Sequence, residues 1–211
     1  MESLGIFLKF PQAGFVKTRL AKDIGKTNAA YFYKQISEFI LKRIYKKKQQ
    51  QIIFYTPANF RNEIINWLGK DYFYLPQQGL TLGDKMEAAF GEMFAKGAAK
   101  AIIVGTDCPQ IDKMIIAEAF AKLKDYDCVL GPAKDGGYYL IGLKNNYKDL
   151  FSDIDWSTEK VLNQTKKKLE TMELSCYLLQ ELVDIDDYQD LKKIDKECFQ
   201  DLKLAKMLNN F

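Results

Sequence analysis

The stretch Ala101-Ile102-Ile103-Val104-Gly105-Thr106-Asp107-Cys108-Pro109 constrains this chain more than any other. Four apolar residues, three of them β-branched, with no polar alternation read as a strand buried on both faces. Pro109 stops the ladder because it has no N–H to donate. Asp107 therefore stands at the carboxyl end of a buried strand, which is where open α/β sheets bind ligands. Two readings are open for it at this point. It could hold a metal ion that bridges phosphates, or it could cap the following helix, since Asp is a favoured N-cap.

The rest of the chain supplies the helices and strands that such a strand needs. Strands are expected at residues 4–10, 51–56, 71–75, 101–105 and 128–130. Helices are expected at 28–47, with Thr27 as N-cap, and at 59–68, 82–96 and 111–123, each from apolar residues at helical spacing. This alternation predicts a single-domain α/β fold with a mostly parallel sheet flanked by helices. After Leu130 the rhythm changes. The strand expected at 138–143 follows a Gly-rich turn too closely for an intervening helix, so it is expected to run antiparallel and make the sheet mixed. A helix at 158–172, a strand at 175–179 and a helix from about Tyr188 complete the reading.

Composition removes several function classes. At 211 residues, folding buries on the order of 70% of the unfolded surface, enough for one sizeable core. Lys+Arg 31 against Asp+Glu 28 leaves a net charge of only +3, so no nucleic-acid partner is expected. The lysine runs 46–48 and 166–168 read as solvated helix faces. Cys108, Cys128, Cys176 and Cys198 form no C-x-x-C pair, which speaks for reduced thiols rather than a zinc site or a disulfide framework. With no signal-peptide pattern and no membrane-spanning run, a cytoplasmic protein with no membrane partner is expected. The chain contains no histidine. That excludes a Ser-His-Asp triad, a Cys-His dyad and an imidazole metal site. Any metal would be held by oxygen ligands, which favours Mg²⁺ or Mn²⁺.

Three segments could carry chemistry. In the loop after the first strand, Gly14 lets backbone approach a ligand, while Lys9, Lys17 and Arg19 could neutralise phosphate charge. This loop is neither a Walker A motif nor a G-x-G-x-x-G fingerprint, and a basic surface turn is the bland alternative. The segment Asp135-Gly136-Gly137-Tyr138 could bring amides and aromatic rings to a ligand, or could simply be a tight turn. The D-x-D spacings at 125–127, 153–155 and 184–186 are weak metal signals in an Asp-rich chain, and the first of them reads as a turn.

Taken in order, Lys9-x-Pro11-x-x-Gly14-x-Val16-Lys17-Thr18-Arg19-Leu20, Gly105-Thr106-Asp107-Cys108-Pro109, Gly131-Pro132-x-x-Asp135-Gly136-Gly137-Tyr138-Tyr139-Leu140-x-Gly142-Leu143 and Trp156-Ser157-Thr158 resemble the glycosyltransferase-A-like family labelled arsenosugar-biosynthesis glycosyltransferase. The resemblance implies the nucleotide-diphospho-sugar transferase fold, which is Rossmann-like. It places Gly14, Lys17 and Arg19 at nucleotide phosphates and makes Asp107 the metal ligand below them. Asp135, Gly136 and Gly137 would line the sugar or acceptor side, with Tyr138 and Trp156 nearby and Asp186 as a second metal contact. Two departures stand out. Lys85 replaces the family's arginine, and Asp187-Tyr188 replaces a Thr-Pro pair that starts a helix. The activity implied is metal-dependent transfer from a nucleotide-diphospho-sugar to a small-molecule acceptor, with Asp107 and Asp135 as the catalytic carboxylates, Asp107 holding the metal and Asp135 assisting deprotonation of the acceptor. The alternative is nucleotidyl transfer from an NTP to a phosphorylated small molecule with release of pyrophosphate. The oligomeric state is not legible in the sequence.

Overall fold

The computed structural model describes residues 1–46 and 49–193. Lys47 and Lys48, the continuation of the helix begun at Tyr188, and Cys198 lie outside the described residues.

Leu4, Ile6 and Leu8 alternate onto one face of the first strand, β1 (Glu2–Lys9), and all three are buried. The chain then makes a long loop and a one-turn helix, α1 (Ala21–Ile24), before the long helix α2 (Lys26–Ile44). There follow β2 (Gln50–Thr56), α3 (Arg61–Leu68), β3 (Phe73–Pro76), α4 (Leu82–Ala95), β4 (Lys100–Val104), α5 (Lys113–Lys122), β5 (Cys128–Pro132), β6 (Tyr138–Leu143), α6 (Val161–Thr171), β7 (Cys176–Leu178) and α7 (Tyr188–Lys193). The seven strands form one sheet in the order β3-β2-β1-β4-β6-β5-β7. Pairings are parallel except those made by β6, which runs antiparallel between β4 and β5, as the short turn before it requires.

Helices cover both faces. Ile102, Val104 and the alternating residues of β1 pack with α2 and α5 on one side. Ile103, Ile141 and Phe54 pack with α4 and the 3₁₀ turn Lys148–Phe151 on the other. Residues 29, 32, 33, 36, 37, 40, 41 and 44 make the buried stripe of α2, which is why that segment is a helix. Phe90 of α4 is fully buried beside Phe151, and truncating such a ring to Ala costs about 3–5 kcal/mol.

Most boundaries shift by a few residues from the sequence reading, and three of the shifts have a clear local cause. Helix α2 begins before Thr27, because Gly25, at φ 84°, ends α1 and starts α2, with its N–H donating to the Ala21 carbonyl at 3.1 Å. Helix α5 begins at Lys113, and its cap is Asp112, whose Oδ1 accepts the N–H groups of Met114 and Ile115 at 2.9 and 3.0 Å. The capping reading of Asp107 is thereby replaced. Helix α6 starts at Val161 because residues 157–160 form a turn, with Ser157 at φ 64° and the Thr158 hydroxyl donating to the Asp155 carbonyl.

Candidate functional site

Sheet order fixes where a cleft can form. From β1 the chain crosses to β2 and β3 on one side, whereas β4 lies on the other, so the switch point falls between β1 and β4. A cleft of about 610 Å³ opens there at the carboxyl ends of those two strands. Lys9 lines it from the end of β1, Lys17 and Arg19 from the loop after β1, Asp107 from the loop after β4 and Asp186 from the segment before α7. Phe7, Met86, Ile103 and Ile141 give the cleft an apolar wall.

Lys17 sits at the centre. Its side chain is only 4% exposed, and its ammonium bridges two carboxylates, Asp107 Oδ1 and, at 3.0 Å, Asp186 Oδ1. Arg19, 71% exposed, approaches the other oxygen of Asp186 at 3.7 Å. Lys17 has φ 46°, in the left-handed region that costs a non-glycine residue of order 1–3 kcal/mol and persists where its surroundings hold it. Burial alone would pull the Lys17 pKa down, but attraction to Asp107 and Asp186 and their hydrogen bonds outweigh it and hold the ammonium protonated well above its ordinary range. Gly14 lies in the tight turn of the same loop, where Phe15 N–H meets the Gln12 carbonyl at 3.1 Å.

Asp186 reaches this place through backbone hydrogen bonds, not through its D-x-D spacing. Leu182 donates to Pro132, Ile185 to Asp107 and Leu20 to Asp186, so the segment threads between the turn after β5, the Asp107 loop and α1. Asp184, half-buried in the same segment, is raised to about 6 by desolvation and by the neighbouring carboxylates of Asp135 and Asp186. Asp187 takes over the work of the missing proline, since its Oδ1 accepts the N–H groups of Gln189 and Asp190 and caps α7.

The remaining expected residues make other contacts than Lys17 does. Asp135 is exposed and accepts the Gly137 N–H at 2.8 Å, fixing its own turn. Gly136, at φ 87°, presses on the start of α6, where any Cβ would sit 2.2 Å from the Glu159 carbonyl oxygen. Tyr138 lines the cleft with its ring, while its buried hydroxyl has no hydrogen-bond partner among the described residues. Trp156 lies against α4 and Phe151; a Cβ on Gly83 would come within 2.5 Å of its Nε1. Lys85 faces a separate crevice beside Leu75 and Pro76, leaving Leu82 and Met86 as the α4 residues that line the cleft. The other two D-x-D spacings are structural: Asp155 pairs with Gln164, and Asp127 pairs with Ser175.

Sequence reasoning missed a buried hydroxyl cluster beneath the cleft. The Tyr33 hydroxyl accepts the Lys9 N–H at 2.8 Å and lies 3.2 Å from Thr106 Oγ1, which also accepts the Ser37 hydroxyl at 3.3 Å. These contacts join α2 to the end of β1 and to the residue before Asp107. Two polar residues at apolar positions of the α2 stripe were the available signal, because a buried hydroxyl needs a partner. Arg43 adds a second tie, donating to the Pro109 carbonyl at 3.2 Å and to Asp112 at 3.4 Å.

Among the described residues, no cluster of three or more metal-ligating side chains occurs. The donor set nevertheless suits Mg²⁺ or Mn²⁺. Such ions are commonly held by one or two carboxylates while waters and substrate phosphates complete the shell. Asp107 and Asp186, 49% and 37% exposed, offer two carboxylates to the cleft, and the ammonium of Lys17 stands between them as a ready-made cation.

The fold is one that this chain shares with a nucleotide-diphospho-sugar transferase, so named provisionally, and with CTP transferases. A protein of Desulfovibrio desulfuricans G20, provisionally named a nucleotide-diphospho-sugar transferase, superposes with TM-score 0.89 at 30% identity, over 99% of this chain and 94% of its own. The inositol-1-phosphate CTP transferase of T. maritima gives 0.59 at 11% identity over 99% and 96%. The 4-diphosphocytidyl-2C-methyl-D-erythritol synthase of Anaerococcus prevotii gives 0.60 at 9% identity over 90% and 94%. These last two likenesses concern the fold alone. The family described as "uncharacterized protein conserved in bacteria" (DUF2064) matches residues 40–158, over half of the sequence, and this chain belongs to it. No curated protein matches the chain. Among the described residues, no helix is long and apolar enough to cross a membrane.

Proposed function

We propose that this chain is a metal-dependent glycosyltransferase that takes a sugar from a nucleotide-diphospho-sugar and passes it to a small-molecule acceptor. One observation carries the reading: at the switch point, Lys17 and Arg19 from one loop meet Asp107 and Asp186 from two others. Lys17 and Arg19 bind the diphosphate, with Gly14 letting the loop close on it and Lys9 adding charge at the rim. Mg²⁺ or Mn²⁺ on Asp107, with Asp186, would stabilise the charge that develops on the leaving diphosphate. Asp135, with Gly136, Gly137, Tyr138 and Trp156 on its side of the fold, takes the proton from the acceptor hydroxyl. The bond from the anomeric carbon to the phosphate oxygen breaks, the acceptor oxygen bonds to that carbon, and the nucleoside diphosphate leaves.

The 30% identical relative's name supports this reading. Resemblance to the arsenosugar-biosynthesis glycosyltransferases adds arsenic-containing acceptors to the panel to be tried. Nucleotidyl transfer is the second reading, favoured by the CTP transferases among the matching folds and by the three cations lining the cleft. Incubation with a panel of nucleotide-sugars and acceptors, beside a panel of NTPs and phosphorylated acids, separates the two. Nucleoside diphosphate release with a glycosylated product is expected. Pyrophosphate release instead would establish the second reading. Sugar transfer by Asp107→Ala at near wild-type rate, with metal present, would overturn the mechanism.

A further inference from the structure

Lys17 occupies an unusual place for a residue expected to hold phosphate. Its ammonium lies inside the protein, and both of its partners are carboxylates that keep part of their surface open to the cleft. Adding Arg19 beside Asp186 gives two cations against these two carboxylates, so the four side chains balance one another, with Asp184 and Asp135 as further acids nearby. A divalent cation arriving alone finds the Asp107–Asp186 pair already neutralised, and it must displace an ammonium that holds both acids. An incoming diphosphate changes the balance. Its oxygens are strong acceptors for an ammonium, Lys17 already lines the cleft into which they would enter, and its loop contains no regular secondary structure between Phe10 and Leu20.

We infer that Lys17 is an exchangeable internal cation: it neutralises the Asp107–Asp186 pair until nucleotide phosphates draw its ammonium away, so the divalent ion enters that pair only together with the nucleotide. The inference rests on the nucleotide and metal reading given above and adds an order of binding to it. No bond is made or broken; a cation on one pair of acids is replaced by another.

The test uses the full chain and Mn²⁺ alone, with binding read from the loss of the free-ion electron paramagnetic resonance signal. Wild type is expected to bind Mn²⁺ weakly. Lys17→Met, which bares both acids, is expected to bind it at least tenfold more tightly, and Lys17→Met/Asp107→Asn to lose that gain. Lys17→Gln, whose amide can still span the acids by hydrogen bonding, provides a second folded variant with the same expectation if Lys17→Met does not fold. A folded variant, verified by its melting transition, that binds Mn²⁺ no more tightly than wild type overturns the inference. So does a gain that survives Asp107→Asn. Because the measurement needs no substrate, it stands apart from the transferase reading. A chain with the Mn²⁺ gain that turns over no nucleotide-sugar keeps the exchange and loses the glycosyltransferase. Turnover without the gain does the reverse.

Discussion

Two carboxylates five residues apart in one loop meet different fates. Asp112 accepts two helix N–H groups and the guanidinium of Arg43, all within a part of the fold that α2 and α5 hold rigid. Asp107 meets Lys17, a cation from another loop, and faces the cleft. A carboxylate bound to backbone amides cannot release them without fraying a helix. One bound to a side-chain cation can exchange it for another cation without disturbing any element. The difference separates an architectural acid from an available one, and it can be broken experimentally at several points.

The largest effect is expected at Asp107. Asp107→Asn keeps the shape but removes the charge, and the proposed sugar transfer should fall by about a hundredfold or more, in line with losing one electrostatic contributor to a transition state. Its melting temperature should change little, because Lys17 keeps Asp186. A comparable loss of transfer in Asp112→Asn would destroy the distinction. Next comes the support beneath the loop. Tyr33→Phe strips the acceptor from the Lys9 N–H, and a buried donor left unsatisfied costs about 1–3 kcal/mol. For a chain of this length each kcal/mol is worth about 2–4 °C, so the loss should show plainly in a thermal melt. An unchanged melt would mean that water satisfies Lys9.

How much of this was legible beforehand depended on how local each signal was. The strand 100–104 and its terminal acid were visible because a run of β-branched residues followed by an Asp and a Pro needs no other part of the chain to be interpreted. The antiparallel β6 was visible because the turn before it is too short for a crossover. Asp186 was nominated by resemblance, but its partner Lys17 is 169 residues away, and no spacing rule specifies a contact of that separation. Thr27 and Asp107 both looked like caps because propensity marks residue type, whereas the cap is set by where the chain can turn, at Gly25 and Asp112. The Tyr33–Thr106–Ser37 cluster escaped because polar residues on an apolar stripe reveal a need for partners without naming them.

Stability alone should respond to the next change. Asp112→Ala leaves Met114 and Ile115 uncapped and Arg43 with the Pro109 carbonyl and the Phe39 ring, which should cost about 1 kcal/mol, or about 2–4 °C in melting temperature, with the proposed transfer preserved below the transition. Asp112→Asn, which can still cap, should recover most of that loss. Failure to recover would mean that the Arg43 ion pair, not the cap, is the larger part.

The smallest effect extends the comparison to a third acid. Asp127 is like Asp112 in being tied to a backbone amide: its Oδ2 accepts the Ser175 N–H at 3.0 Å and the Ser175 hydroxyl at 2.6 Å, while Tyr147 donates to Oδ1 at 3.3 Å. The Ser175 hydroxyl above all lowers the Asp127 pKa, and burial opposes it only in part. A carboxylate with a depressed folded pKa stabilises the fold above its unfolded value of about 3.9 and loses that contribution as pH falls through the folded value. Wild type should therefore melt slightly above Asp127→Asn at pH 7. The gap should close as pH drops from about 4 downward, because a protonated Asp127 no longer differs in charge from the amide. The carboxylate is largely solvated, so screening keeps the difference below about 1 kcal/mol. A gap that widens in acid would mean that Asp127 is held in its protonated form, and the distinction between acids tied to backbone amides and an acid held by a side-chain cation would then need a different basis.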